Sequence, residues 1–323
     1  MRFYIFTLLL SAFFIGCSDE NKTMEPTYRD VDWFAIKDSE DATEHLRYQL
    51  YRKTGISVFY TDTIGKEFRG INGYGDSIIH HEVLTPYYVI SGTTNTITYI
   101  FSKDKTEIHN GIVFLDDQVI PLLIPAAYPR SFLLVEELIL NARSTEAQGK
   151  REGDVYKGMM TTLVSRVGLL GTMTMEDKRV LATKIAATEW YKYLNENHIS
   201  VIHKFCAISD GSVEWTDQSS TSTYNRVTNT TASGIFSLPY KPHWNGYGFL
   251  ISNPNQVGQL QGGPAVYGRY YTPTVEQDVT SFIEVVLRYS QPEFQALYEG
   301  IEGVEYLIAK YLVIKEILDA SHP

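Results

Sequence analysis

The sequence predicts an α+β protein, with a mixed N-terminal α/β part around a short sheet and a mainly helical C-terminal part. Residues 41–135 combine one helical segment with several short runs that alternate as strands do, separated by Gly and Asn. After residue 151, long segments with helical spacing dominate. The chain is 44% hydrophobic and 20% charged, which is typical of a globular body.

The N-terminal part begins with a predicted helix over Asp41–Arg52, in which Leu46 and Leu50 share one face. The alternation of Ile56–Tyr60 then predicts a strand. Further short apolar runs predict four more strands, at Tyr87–Ile90, Thr96–Phe101, Gly111–Phe114 and Ser131–Val135. A polar segment, Ser144–Asp154, separates this part from the next.

The C-terminal part contains four predicted helices, at Val155–Leu170, Met175–Asn197, Val275–Ser290 and Val304–Ala320. Thr174 is the predicted N-cap of the second, because acidic residues fill the first turn that follows it. Between the second and third helices, Asp210–Ser233 is rich in Ser, Thr and Asn and predicts an exposed loop. Pro242–Gly248 predicts further irregular structure.

The first twenty residues have the pattern of a bacterial lipoprotein signal. Arg2, the apolar run Phe3–Ile15 and a small residue before Cys17 form a signal peptide over residues 1–16. The run is too short to span a bilayer, which takes about 20 apolar residues. In lipoproteins of this type the cysteine becomes the mature N-terminus and carries acyl chains, so Cys17 is the predicted lipid attachment site. The alternative is an ordinary secretory signal with a coincidental cysteine.

The domain prediction follows from these boundaries. Residues 17–29 form a lipidated tether, residues 30–150 a mixed α/β subdomain and residues 151–323 a mainly helical subdomain. The acidic residues after Cys17 (Ser18-Asp19-Glu20) resemble the export signal of surface-exposed lipoproteins in some Gram-negative bacteria. The predicted location is therefore the outer membrane, lipid-anchored and exposed at the cell surface.

The net charge limits the classes of binding partner, and the cysteine content limits the possible disulfides. The formal net charge of −10 disfavours nucleic acid and anionic membrane surfaces, so membrane attachment has to come from lipid. Cys206 is the only cysteine besides Cys17, which leaves no intrachain disulfide in the mature body. Because Cys206 lies in an apolar run, it is predicted to be a buried small hydrophobe.

Four parts of the chain resemble a family of Gram-negative lipoproteins described as zinc-binding metallopeptidases, which are often found beside outer-membrane glycan-uptake systems. These parts are the segment I-S-V-F-Y, the segment P-R-S-F-L-L-V, the central helix and the late segment Y-Y-T-P-T-V-E-Q-D-V. The resemblance implies a zincin-like fold for the mainly helical C-terminal part. It also implies a setting in the uptake of glycans or peptides.

The family's zinc motif is missing from this chain. In the family the central helix carries His-Glu-x-x-His, where the two His hold zinc and the Glu polarises its water. Here Thr188 and Lys192 take the two ligand positions, and Glu189 keeps the general-base position. Asp278 remains from the family's acidic late segment as a possible supporting acid. We expect Lys192 to pair with Glu189, Glu276 or Asp278, so that a salt bridge replaces the metal. The alternative is that Thr188 and Lys192 are ordinary helix residues that do not correspond to the family's ligand positions.

The predicted function is therefore that of a pseudo-enzyme, with no metal or other cofactor, that acts in binding or assembly at an outer-membrane nutrient-uptake system. One alternative is an active zinc peptidase with non-standard ligands. Another is a glycan-binding accessory lipoprotein of unrelated fold. Five aromatic residues form the candidate recognition surface, although they can equally pack against the helices: Trp244, Tyr247, Tyr267, Tyr270 and Tyr271.

Replacement of the predicted lipid attachment site tests the predicted membrane location of the protein. We expect Cys17→Ala to remove acyl labelling and to release the chain from the membrane fraction, because nothing else in the acidic body favours a bilayer. Metabolic labelling with a fatty acid and cell fractionation measure both effects. Cys206→Ala is the matched control and keeps the label. Retained labelling of Cys17→Ala would contradict the prediction.

Overall fold

The computed structural model describes residues 31–86, 97–141, 150–211, 215, 223–224, 227–229, 237–239, 243–252 and 272–321. Contacts divide the chain into Met1–Ala35 and a compact unit, Ile36–Pro323. The predicted signal peptide, the tether and Cys17 lie outside the described residues, as does the strand predicted at Tyr87–Ile90. The compact unit is an α+β fold, which confirms the predicted class.

A four-stranded sheet forms the centre of the compact unit, in the order β1-β5-β9-β8. Helix α1 (Ala42–Thr54), capped by Asp41, leads into β1 (Ser57–Phe59), and both agree with the prediction. Strand β1 runs parallel to β5 (Ser131–Leu134), and β5 runs parallel to β9 (Thr162–Val164). The edge strand β8 (Val155–Lys157) is antiparallel to β9. Strands from both sides of residue 150 therefore share one sheet.

Three smaller β-structures accompany this sheet. An antiparallel hairpin consists of β2 (Thr63–Ile71) and β3 (Ser77–Val83). A three-stranded antiparallel sheet has the order β4-β6-β7, with β4 at Ile97–Ile100, as predicted, β6 at Glu137–Asn141 and β7 at Lys150–Glu152. Two short parallel strands follow later in the chain, β10 (Val227–Asn229) and β11 (Ser237–Pro239).

The strand predicted at Gly111–Phe114 is wrong, because this run is the last turn of helix α2 (Lys105–Phe114). The helix continues through a π-helical turn, Leu115–Val119. A short apolar run fits a buried helix as well as a strand. Gly111 allows α2 to pack closely against the sheet, since a Cβ at this position would lie 2.8 Å from Leu134 Cδ1 of β5.

The helix predicted at Val155–Leu170 is also wrong. This segment forms β8, a turn, β9 and a short 3₁₀ helix, Val167–Leu169. At the turn, Gly158 approaches another part of the backbone so closely that a Cβ would lie 2.1 Å from the carbonyl oxygen of Pro86. Long-range pairing of β9 with β5 outweighs the local helical spacing, which is only a weak preference.

The long helix α3 (Met175–Asn197) has the predicted bounds and the predicted N-cap, with a capping box between Thr174 and Asp177. Helix α4 (Ile199–Asp210) follows it directly and was not predicted. The remaining helices are α5 (Val275–Arg288), α6 (Gln291–Leu297) and α7 (Val304–Ser321), of which α5 and α7 confirm predictions. Helix α3 packs against α5, and α4 packs against α7.

Candidate functional site

The three residues at the predicted motif positions lie on one turn of α3 in different environments. The Thr188 hydroxyl donates a hydrogen bond of 2.9 Å to the backbone carbonyl of Lys184. Lys192 is half-buried, and Glu189 is only 1% exposed. A buried carboxylate in the middle of a helix requires partners to offset the loss of its hydration.

Both carboxylate oxygens of Glu189 are bound by residues of the sheet. Lys157 Nζ, at the end of edge strand β8, lies 2.5 Å from Oε2. The hydroxyl of Thr162, the first residue of β9, donates to Oε1. Burial lowers the pKa of Lys157, and the attraction of Glu189 opposes this shift. The cation beside Glu189 is thus Lys157, and the expected pairing with Lys192 is not formed.

The residues at the motif positions do not fit a zinc ion. The Thr188 hydroxyl is engaged by the helix backbone, and Lys192 is an amine that has to lose its proton before it can bind metal. Both oxygens of Glu189 already accept a hydrogen bond, Oε2 from Lys157 and Oε1 from Thr162, so neither is directed at a metal-bound water. In the described part of the chain, no group of three His, Cys, Asp or Glu side chains could hold a metal.

A second ionic group lies one turn earlier on α3. Asp154 immediately precedes β8, and its Oδ2 lies 2.5 Å from Lys184 Nζ, while its Oδ1 lies 2.7 Å from Arg166 Nε. Glu284 of α5 also feels the charges of Lys184 and Asp154, and burial raises its pKa to about 7 against the attraction of Lys184. We call the five residues at this junction of α3, α5 and β8 the α3 charge cluster: Asp154, Lys157, Lys184, Glu189 and Glu284.

Asp278 belongs to a different, fully buried group. Its Oδ2 accepts hydrogen bonds from Lys310 Nζ of α7 at 2.6 Å and from the Tyr224 hydroxyl at 2.8 Å. Both Asp278 and Lys310 are 0% exposed. Lys310 Nζ also lies 3.3 Å from the Tyr224 oxygen. Asp278 therefore supports neither Glu189 nor Lys192 directly.

Aromatic rings surround the Lys310 ammonium. Its Nζ lies 4.5 Å from the ring centre of Phe249, 4.6 Å from that of Phe205 and 5.5 Å from that of Phe282. Burial in this apolar setting lowers the pKa of Lys310 and raises that of Asp278, although their mutual attraction opposes both shifts. We call Tyr224, Asp278, Lys310 and the three Phe rings the Lys310 cage.

The predicted aromatic surface is only partly described. Tyr247 is buried, at 7% exposed, and the half-buried Trp244 donates its indole N–H to the carbonyl of Leu250 at 3.0 Å. Both residues belong to a 3₁₀ helix, Trp244–Tyr247, that packs on α7. The other three candidates, Tyr267, Tyr270 and Tyr271, lie outside the described residues.

Sequence reasoning missed Lys157 and Lys310, the two cations that neutralise the buried carboxylates. The role of Lys157 could not be predicted because its segment, Val155–Leu170, was predicted to be a helix and not the edge strand β8. For Lys310 a signal did exist, since it lies within an apolar helical stretch where a charged residue is rarely buried without a partner. Its partner, Asp278, lies far away in the sequence, and nothing in the sequence indicates that the two meet.

The raised pKa of Glu284 predicts a pH-dependent stability. Between its usual pKa of 4.5 and about 7, the folded chain keeps a proton that the unfolded chain has lost. The free energy of unfolding therefore falls as pH rises through this range. Because glutamine has no such proton, Glu284→Gln should raise the free energy of unfolding at pH 8 by about 1–3 kcal/mol and change it little at pH 4.

Urea unfolding of the wild type and the variant at several pH values measures this difference. The exposed Glu305→Gln on α7 is the matched control and should show no growing difference between pH 4 and pH 8. A Glu284→Gln variant that is equally destabilised at both pH values would contradict the assignment.

Comparison of the chain with protein-family models, with curated proteins and with solved structures finds no match. None of the described helices is both long enough and apolar enough to cross a membrane.

Proposed function

We propose that this protein is a surface-anchored lipoprotein of metallopeptidase-like ancestry that binds or assembles at an outer-membrane nutrient-uptake system and does not hydrolyse peptides. The observation that carries the proposal is the environment of Glu189. This carboxylate is buried, and Lys157 and Thr162 occupy both of its oxygens. A general base has to reach the proton that it removes, and both oxygens of the buried Glu189 are held by groups of the sheet.

An ion pair thus joins the edge strand β8 to helix α3. In the family that this chain resembles, the corresponding turn of the helix would hold the metal. The Lys157 ammonium supplies one positive charge to Glu189, and Lys184 of α3 forms a second ion pair with Asp154, the residue before β8. This arrangement ties α3 to β8 and supports a role in holding the fold. It supports no role in polarising a substrate carbonyl.

The hairpin β2–β3 supports the binding half of the proposal. Opposed residues of an antiparallel pair point to the same side, so the pairs Thr63–Val83, Lys66–His81, Phe68–Ile79 and Ile71–Ser77 share one face. The four large apolar residues of that face are exposed: Phe68 56%, Ile71 65%, Ile79 52% and Val83 49%. Exposed apolar patches of this kind mark interaction sites, and an isolated two-stranded hairpin gains stability from a partner.

The chemistry of this face favours a protein partner over a glycan. Three of its four large apolar residues are aliphatic, whereas sugar recognition relies on polar groups and on aromatic rings. Tyr74, at the turn, is 95% exposed and extends the same hairpin. We therefore propose that the hairpin contacts a protein component of the uptake system.

Metal analysis tests the non-hydrolytic half. We expect the purified full-length protein to hold no stoichiometric zinc, because neither Thr188 nor Lys192 is a competent ligand. We also expect no chelator-sensitive cleavage of peptide substrates. Elemental analysis by mass spectrometry and a fluorogenic peptide assay measure the two quantities. One zinc per chain together with chelator-sensitive cleavage would support the active peptidase instead.

Substitution of the hairpin tests the binding half. In cells, chemical cross-linking and purification should recover an identified outer-membrane transport protein with the wild type. We expect Phe68→Ser combined with Ile79→Ser to reduce that recovery by about tenfold or more, since each buried apolar anchor contributes more than 1 kcal/mol to an interface. The double control Leu297→Ser with Leu312→Ser also removes two exposed apolar residues, but from helices α6 and α7. Equal loss in both variants would contradict a role for the hairpin.

A further inference from the structure

The Lys310 cage holds an ionic pair in conditions that disfavour charge. Asp278 and Lys310 are completely buried, and Lys310 Nζ lies 2.6 Å from Asp278 Oδ2. The second carboxyl oxygen, Oδ1, is also buried, and no donor among the described residues forms a hydrogen bond with it. Removing two charges from water costs more than their attraction returns unless every remaining polar atom is satisfied. The pair is therefore poorly stabilised as an ion pair.

The same surroundings favour the neutral forms of both groups. Burial raises the pKa of the Asp278 carboxyl and lowers that of the Lys310 amine. Transfer of one proton from the ammonium to the carboxylate removes both charges from the apolar interior. It leaves a neutral amine, which is a nucleophile, beside a protonated carboxylic acid, which is an electrophile.

Tyr224 is placed to move protons between the two groups. Its hydroxyl donates to Asp278 Oδ2 at 2.8 Å, and its oxygen lies 3.3 Å from Lys310 Nζ. Burial holds the pKa of Tyr224 well above its ordinary value, so that the hydroxyl keeps its proton. A hydroxyl in contact with both reactants can pass a proton from the attacking nitrogen to the departing oxygen.

We propose that Lys310 and Asp278 condense to an intramolecular isopeptide bond that links α7 to α5. Lys310 Nζ forms a bond to Asp278 Cγ, and the bond between Cγ and Oδ2 breaks. Oδ2 leaves as water, with the acid proton and one proton of the amine. No oxidant, reductant or cofactor takes part. Oδ1 becomes the carbonyl oxygen of a neutral amide, which costs less to bury without a partner than a carboxylate does.

The rings of Phe205, Phe249 and Phe282 provide the dry setting that the reaction requires. They lie 4.5–5.5 Å from Nζ and exclude bulk water from the new bond. Exclusion of water favours condensation and prevents hydrolysis of the product. The same rings also attract an ammonium through cation–π contacts, so a persistent ion pair is the competing outcome.

Peptide mapping of the full-length wild-type protein tests the bond directly. Trypsin should release residues 270–288 joined to residues 289–315, because a modified Lys310 is no longer cleaved. The joined species should be lighter than the sum of its two peptides by the mass of one water molecule. Tandem mass spectrometry locates the branch at Asp278 and Lys310. Recovery of only unlinked peptides, one ending at Lys310 and the next beginning at Tyr311, would overturn the proposal.

The digest contains its own control. Lys315 and Asp319 form an ion pair of 2.7 Å on the same helix, but both are exposed. Proximity without burial should leave this pair unlinked, and cleavage after Lys315 should remain complete. A cross-link at Lys315 as well would show that the chemistry does not depend on the cage.

Two variants separate the roles within the cage. Tyr224→Phe keeps both reactants and removes the proton carrier, so we expect the linked fraction to form about 100-fold more slowly. Lys310→Met removes the amine with little change of volume and should abolish the branched peptide entirely. An unchanged rate of isopeptide-bond formation in Tyr224→Phe would overturn the role of the hydroxyl. If a variant fails to fold, the digest of the wild-type protein still shows whether the bond is present.

Discussion

Helix α3 has to bury two sides at once, and the rest of the structure depends on this constraint. On one side it faces the β8 end of the four-stranded sheet, and on the other it packs along α5. Its interior residues include Ile185 and Trp190, both 0% exposed, and the Trp190 indole N–H donates to the carbonyl of Leu122 at 2.9 Å. A helix buried in this way has little surface left for polar side chains. Each polar side chain that it does bury must therefore find a fixed partner.

That requirement explains the pairing of Glu189. Its position on α3 points toward the sheet, so the partner has to come from β8 or β9, and Lys157 and Thr162 fulfil this need. Lys192 lies one turn further along the helix and is half-buried, so it keeps contact with water. The proposed loss of hydrolytic function thus follows from packing as much as from the missing histidines.

Asp278 and Lys310 show a second way to place charges in the interior. Here the partners come from α5, α7 and the segment at Tyr224, and aromatic rings enclose them. The α3 charge cluster stays partly open to solvent, whereas the Lys310 cage is closed. Because the Lys310 cage excludes solvent, we propose condensation between its amine and its carboxyl group. The α3 charge cluster is open to water, and we propose no such reaction there.

Elements with local signals can be predicted from the amino-acid sequence alone. The N-cap and bounds of α3, the strand around Val58 and the helices α5 and α7 follow from capping residues and periodicity within the segment. Only the tertiary structure decided that Val155–Leu170 is a β-hairpin region and that Gly111–Phe114 is helical. Sheet pairing and helix packing at long range outweigh local preference in both segments. The same holds for the ion pairs, because Lys157 and Lys310 meet their carboxylates only after the chain has folded.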